Sequence, residues 1–389
     1  MKFKVFLLTL LLIQSFLHAC DVPVFRYALE RWQRDLYRIF VVHHGELSEK
    51  ETELLQQLNN NSLPNFGHAN YRLYDVDLNH EKTRESFQKT FPDLKELKAD
   101  TPKLILRFPF KSSFPKEVIW QGEFNQENVD ELLNSKATAE LMKGVLQGYS
   151  STFLLMESGD EAKDQKAAEL ITKAIAKFEK ELEIPKGVVQ TDGNVTGGEL
   201  TPQEAAQRDP SNVLKSGIPL KIDFHLMRMP NNGANKIFRS ILSKTHDSQK
   251  TENEPKLYAF FGRGRLLGPM VGEAITSEDL TMLAEYLCGA CSCQMKRQNP
   301  GLDFLTNLDW MSFLEGSEVV VDKTLPPLIG VIDMVTKPKT ENTSSEPILP
   351  NLPQAVETEP ESTLSKNLSV TLGLVLALII GGTFIVRKK

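Results

Sequence analysis

Two distant stretches of the chain carry one pattern, Thr101-Pro102-Lys103-Leu104-Ile105-Leu106 and Glu254-Pro255-Lys256-Leu257-Tyr258-Ala259. Each is followed by a second short apolar run and then by a polar residue that opens an amphipathic helix. Those helices read Gln126-Glu127-Asn128-Val129 through Leu133 and Ser277-Glu278-Asp279-Leu280 through Leu287. A unit repeated at this spacing means two copies of one small fold. Between the two ends lie about 315 residues of globular composition, by length one large or two ordinary domains. The boundaries read as 20–135 for the first copy, 136–149 for a linker helix, and 150–315 for a second copy with a cysteine-rich end.

The local signals fill in each unit. Asp21-Val22-Pro23 opens a short helix with Phe25, Leu29 and Trp32 at helical spacing, and Arg26 and Glu30 pair at i,i+4. Arg38–Val42 is a β-branched run and therefore a strand. Ser48 and Glu51 form a capping-box pair for a helix to about Leu58. Tyr71–Leu78 reads as a strand, Glu81–Phe91 as a helix, and Lys103–Phe108 with Val118–Gln121 as a strand pair before the Asn125–Leu133 helix. In the second copy Thr152–Met156 is a strand, and Glu161–Glu183 is a helix with one apolar face. A polar loop over Pro185–Gly217 follows, then a strand Ile222–Met227 and a helix Asn232–Leu242. The strand Lys256–Phe261, an edge near Met270–Glu273 and the helix Ser277–Leu287 complete it.

The resulting order, β-α-β-α-β-β-α with a proline just before the third strand, resembles the thioredoxin fold, and Tyr74-Asp75-Val76-Asp77 is similar to its second strand. The expected fold class is thus α/β, two tandem thioredoxin-like domains between a signal peptide and a C-terminal transmembrane helix. In that family the proline is cis and borders the active site, so the resemblance implies cis bonds at Pro102 and Pro255. A thioredoxin-type enzyme also needs Cys-x-x-Cys at the start of the first helix, where the helix dipole lowers the thiol pKa. The two corresponding positions hold His43-His44-Gly45-Glu46-Leu47 and Ser158-Gly159-Asp160-Glu161-Ala162, without a cysteine. The usual dithiol exchange is absent from both.

The cysteines of the chain are Cys20, Cys288, Cys291 and Cys293, the last three forming Cys-x-x-Cys-x-Cys at a helix C-terminus. A helix C-terminus destabilises thiolate, a poor place for an activated nucleophile. Three readings compete: a structural disulfide, a copper or zinc site that Cys20 or a histidine completes, and a redox-active pair. His43 and His44 are neighbours at a strand end and point apart, so they read as an exposed loop pair rather than one metal site. Gly262-Arg263-Gly264-Arg265 lacks nucleotide-loop spacing and reads as a hairpin turn, with Arg263 and Arg265 a candidate anion contact. No cofactor is firmly implied.

The chain ends place the protein. Met1–Ala19 carries Lys2 and Lys4, the apolar run Val5–Ile13 and a small residue before Cys20, a secretory signal pattern. Leu17-His18-Ala19-Cys20 also resembles a bacterial lipobox, which makes Cys20 a lipidation candidate; plain cleavage after Ala19 is the alternative. Leu368–Val386 is uncharged and apolar, and nineteen residues span roughly 28 Å, enough for a bilayer core. Arg387-Lys388-Lys389 favours the cytoplasmic side, which puts residues 21–366 outside, in the periplasm or at the cell surface. Residues 316–366, rich in Pro, Ser, Thr and Glu, read as a polar tether.

The run Cys20-Asp21-Val22-Pro23-Val24-Phe25-Arg26-Tyr27-Ala28-Leu29-Glu30-Arg31-Trp32, with Phe261-Gly262-Arg263-Gly264-Arg265 and Cys291-Ser292-Cys293-Gln294, resembles exported proteins of planctomycete and verrucomicrobial-type bacteria. That family is uncharacterised, so the resemblance implies location and domain plan but no activity. Net charge is −6 and no basic stripe is interleaved with aromatics, which argues against nucleic acid as a partner. The expected function is a membrane-anchored binding or scaffolding module of the cell envelope, with an envelope protein or extended peptide as partner. The alternative is a thiol-redox or copper/zinc-handling protein using Cys288, Cys291 and Cys293; as an enzyme it would be a thiol-disulfide oxidoreductase.

Overall fold

A computed structural model of the chain describes residues 20–94, 97, 100–110, 112, 118–245, 251–290 and 296–314. The expected signal peptide, tether and transmembrane helix, and Cys291 and Cys293, lie outside the described residues. Among the described residues no helix is long and apolar enough to cross a membrane.

Two mixed sheets organise the molecule, and the described residues of both belong to one compact unit. The first contains β1 (Tyr37–His43), β2 (Tyr71–Asp77), β3 (Lys103–Arg107) and β4 (Val118–Glu123) in the order β2-β1-β3-β4. β1 and β2 run parallel from Tyr37↔Tyr71 to His43↔Asp77, whereas β3 is antiparallel to both β1 and β4. A run of β-branched and aromatic residues buried along its whole length suits β1 to this central place. The second sheet contains β5 (Ser151–Met156), β6 (Phe224–Met229), β7 (Lys256–Phe261), β8 (Arg265–Val271) and β9 (Leu302–Asp303). Its order is β6-β5-β7-β8-β9, with the same pairing senses and one added edge strand.

The helices in chain order are α1 (Val24–Arg31), α2 (Glu49–Asn61), α3 (Glu81–Thr90), α4 (Gln126–Asn134), α5 (Lys136–Leu146), α6 (Glu161–Glu181), α7 (Pro202–Arg208), α8 (Lys236–Ser243), α9 (Ser277–Cys288) and α10 (Trp310–Leu314). The expected capping box at Ser48 and Glu51 is formed. The stretch read as a polar loop over Pro185–Gly217 contains α7, opened by a second capping box between Thr201 and Glu204. The edge expected near Met270–Glu273 begins earlier, at Arg265. Gly264 N–H donates to the Phe261 carbonyl at 3.2 Å, closing the turn at once, and Arg265 already pairs with Phe261.

The repeat is visible in the backbone beyond strand order. Phe124 N–H donates to the Pro102 carbonyl and Gly272 N–H to the Pro255 carbonyl, both at 2.9 Å. Each pre-strand proline thus extends its hairpin ladder by one bond. The expectation of cis bonds there is corrected: among the described residues the cis peptide is Gly268-Pro269, inside β8. The chain reaches Pro102 and Pro255 in the ordinary trans form, the lower-energy isomer for X-Pro.

The cores do not follow sequence order. One apolar cluster spans both repeats, joining Ile39, Val41, Leu104 and Leu106 to Leu154, Ile237, Phe238, Tyr258 and Phe260. The helix α1, which precedes the first repeat, packs in the core of the second, where Phe25, Tyr27, Ala28 and Trp32 meet Phe153, Leu257 and Phe261. Val24 N–H donates to Gly289 O at 3.1 Å, and Pro23 bridges Ala290. The pair expected between Arg26 and Glu30 forms at 3.0 Å and is buried. It also clamps the 215–216 segment: Arg26 donates to Ser216 O at 2.7 Å, while Glu30 accepts from Lys215 N at 2.9 Å and Ser216 N at 3.2 Å. A buried ion pair satisfied this fully is costly to break by removing one partner.

Residues 302–314 return the other way. Asn70 accepts from Thr306 N at 2.8 Å and donates to Phe304 O at 3.1 Å, and Trp310 is buried in the shared core. Helix α8 begins at Asn235 in the left-handed region with no side-chain cap. Instead Glu131 of α4 accepts from Ile237 N at 2.7 Å, so the first repeat caps a helix of the second.

Candidate binding site

Both repeats leave their first strand through a glycine in the left-handed region, Gly45 (φ +74°) and Gly159 (φ +93°). That conformation turns the chain sharply from strand to helix. In each turn the glycine N–H donates to a carboxylate, Asp77 Oδ1 at 2.9 Å and Asp164 Oδ2 at 3.0 Å. In the second repeat Asp164 also accepts from Ser158 N at 2.8 Å and Ser158 Oγ at 2.9 Å, and Asp160 caps Ala162 and Lys163. The helix start that would stabilise a thiolate is therefore satisfied by the chain's own carboxylates.

His43, expected in an exposed loop, is 7 % exposed. Its Nδ1 lies 2.6 Å from Gly45 O and its Nε2 2.8 Å from Asp75 Oδ1. Both neighbours accept hydrogen bonds, so the doubly protonated ring fits the site best. The hydrogen bond to Asp75 raises the His43 pKa above its ordinary value, burial opposes it, and the Gly45 carbonyl adds to the rise. His44 is exposed and turns away, with Nδ1 3.3 Å from Asn79 Oδ1. Burial pulls the Asp77 carboxyl upward, but the N–H groups of Asn79 and Gly45, with His43 and His80 nearby, outweigh it and hold the pKa below its usual value.

A cleft of about 680 Å³ opens beside Pro255. Ala167 and Leu170 of α6 and Val271 and Ile275 at the end of β8 supply apolar surface. Lys163 and Lys166 stand against Glu254 and Glu273, and Lys163 reaches Glu254 at 2.5 Å. Its position follows from the fold: Pro255 leads into β7, the turn at Gly159 opens α6 beside it, and the end of β8 with Gly272, Glu273 and Ile275 closes the third side. Sequence reasoning marked Pro255 but not Lys163, Lys166 or Leu170, whose signal was the polar edge of the α6 stripe.

The other sequence candidates sit elsewhere. Cys20 and Cys288 are both buried as free thiols. Burial raises the Cys20 pKa and pushes Cys288 up to about 12. A lipid on the Cys20 sulfur would displace the core packing that covers it. Cys291 and Cys293 lie outside the described residues, although the bridge from Pro23 to Ala290 brings the chain around Cys20 beside the end of α9. Among the described residues no group of three or more His, Cys, Asp or Glu side chains is arranged to hold a metal ion.

The expected anion contact at Arg263 and Arg265 is corrected, because both guanidinium groups have protein acceptors. Arg263 closes the C-terminus of α1, donating to Leu29 O at 2.7 Å and Glu30 O at 3.1 Å. Arg265 pairs with Asp303 at 3.0 Å and donates to the Asn299 and Pro300 carbonyls. Helix ends leave carbonyls without partners, and arginine side chains are well suited to fill them.

The chain matches no protein-family model, and no curated protein shows significant similarity to it.

Proposed function

We propose that the protein is an exported, membrane-tethered binding module of two redox-inactive thioredoxin-like units, and that the second unit holds an extended polypeptide in the cleft beside Pro255. The β-α-β-α-β-β-α order, with a parallel first pair and an antiparallel hairpin, supports the thioredoxin-like reading. Export and tethering rest on the terminal segments of the sequence. The observation that carries the function is the cleft itself. Its apolar floor at Ala167, Leu170, Val271 and Ile275 suits a side chain, and opposed Lys and Glu residues at the rim suit a peptide carrying both charges. No cysteine stands at the neighbouring helix start, so the site binds without forming a mixed disulfide. The thiol or metal alternative rests on Cys291 and Cys293, and the two described thiols are buried and poorly ionised.

Fluorescence anisotropy with the full chain and a panel of labelled, unstructured peptides tests this reading. Saturable binding is expected, with Leu170→Arg weakening it at least tenfold, about 1.4 kcal/mol. Lys166→Glu, at an exposed position, is expected to shift preference from acidic toward basic peptides. An absence of saturable binding across the panel, or equal affinity in the Leu170→Arg chain, rules the cleft out.

A further inference from the structure

A second feature lies in the first repeat and is independent of the cleft. Arg38 of β1 and Arg107 of β3 are direct partners in the antiparallel register, so their side chains rise from the same face. Both are buried, at 4 % and 2 % exposure. Like charges placed opposite each other on a sheet repel, and burial removes the water that would screen them. Among the described residues one carboxylate answers the two cations: Asp93 accepts from Arg107 Nη1 at 2.9 and 3.1 Å. Arg38 donates through Nε to Phe108 O at 2.8 Å.

The Arg107 Nε is fully buried and unpartnered. Aromatic rings flank the pair: the Phe91 ring lies 4.9 Å from the Arg107 guanidinium and 5.9 Å from that of Arg38, and Phe110 covers Arg38 at 4.2 Å. Cation–π contact offsets part of the cost but accepts no hydrogen bond. Burial first, then the charge of Arg107, lowers the Arg38 pKa to about 10. Among the described residues the arrangement has one excess positive charge, a buried N–H donor without an acceptor and aromatic rings on two sides.

We infer that Arg38 and Arg107 form a binding site for a small tetrahedral oxyanion, phosphate or sulfate, between β1, β3 and the Phe91 and Phe110 rings. A planar carboxylate is matched by the fork of one guanidinium. Two guanidinium groups on different strands are not tied to one plane as the fork of a single guanidinium is, and tetrahedral oxygens meet such a pair better. Asp93, half open to solvent at 39 % exposure of its side chain, competes with the anion for Arg107.

Isothermal titration of the purified full-length chain with inorganic phosphate, sodium sulfate and sodium acetate, in a constant chloride background, tests the site. One phosphate or sulfate per chain is expected, with acetate at least tenfold weaker. Arg38→Met and Arg107→Met are each expected to weaken binding at least tenfold. Because either could disturb folding, Asp93→Asn supplies a second arm: removing the competing carboxylate is expected to tighten phosphate binding several-fold. The proposal is overturned by an absence of saturable phosphate and sulfate binding, by acetate binding as tightly, or by unchanged affinity in the folded arginine variants. Unchanged or weaker affinity in Asp93→Asn would equally refute it.

Discussion

The first and second repeats turn from strand to helix with one backbone device, yet they secure it from different places. In the second repeat the carboxylate that takes the glycine N–H is Asp164, from the helix just entered, and it is 3 % exposed. In the first repeat it is Asp77, from the neighbouring strand, with 23 % of its side chain exposed. The first turn also adds His43, held between Gly45 O and Asp75, where the second repeat ends its strand in Met156. The carboxylate of the second turn comes from its own local sequence, although Asn231 also donates to Ser158 O at 3.1 Å, whereas the carboxylate of the first depends on β1 and β2 being paired. A duplicated backbone can therefore keep its geometry while its polar contacts, and with them its response to solvent, diverge.

The largest test of this difference is removal of the two carboxylates. Asp164 accepts three hydrogen bonds in a buried setting, and Asp164→Ala strands the Ser158 and Gly159 donors. Hydrogen bonds to a buried charge are worth more than neutral ones, so a loss of about 3 kcal/mol is expected. Asp77 accepts from Gly45 and Asn79 nearer solvent, and water replaces part of what Asp77→Ala removes, leaving a loss of about 1–2 kcal/mol. Urea midpoints of the two variants decide the ranking. Equal losses would mean that burial does not distinguish the two turns.

The glycines give a smaller and sharper contrast. An alanine at either position pays for the left-handed backbone, about 1–2 kcal/mol. A Cβ on Gly159 would find its nearest neighbour 3.7 Å away, but one on Gly45 would meet Asn79 Nδ2 at 2.9 Å. Gly45→Ala is therefore expected to destabilise more than Gly159→Ala, by the cost of moving Asn79. The double variant Gly45→Ala with Asn79→Ala, compared with Asn79→Ala alone, is expected to bring the alanine cost down to that of Gly159→Ala in the same urea series.

Most of this architecture was legible because local signals carried it. Alternating and β-branched runs marked β1, β2, β5 and β7, and polar caps marked α2, α4 and α9. The cap at Thr201 with Glu204 was equally legible and would have located α7 inside the supposed loop. What local sequence could not carry was placement. Nothing in Val24–Arg31 says that it packs on the second repeat; Pro23 meeting Ala290 and Arg263 closing the helix end decide that. The strand Leu302–Asp303 is two residues long and exists because Arg265 and Leu266 pair with it. The same holds for the sites. Pro255 was marked by its motif, while Arg38 and Arg107 showed only as charges interrupting apolar strand runs, and their pairing is a matter of register.

The smallest effect expected is the pH response of the first turn. Because its folded-state pKa is raised, His43 contributes stability that is fully present below the unfolded value, about 6.5, and is lost as pH rises through the higher folded value. Asp77 acts in the opposite sense and in another window: its pKa is lowered, so its contribution holds above the ordinary carboxylate value and disappears as pH falls through the depressed one. Between pH 6 and 9 the first turn should therefore loosen with rising pH through His43. Hydrogen exchange at Gly45 and Leu78, whose N–H groups bond Asp77 and His43 O, is expected to exceed the intrinsic pH dependence over that range. In His43→Gln, which has no titrating ring there, the excess should vanish, and at Gly159 it should be absent in both chains. An excess at Gly159, or one that persists in His43→Gln, would place the pH dependence outside the histidine and remove the distinction between the two turns.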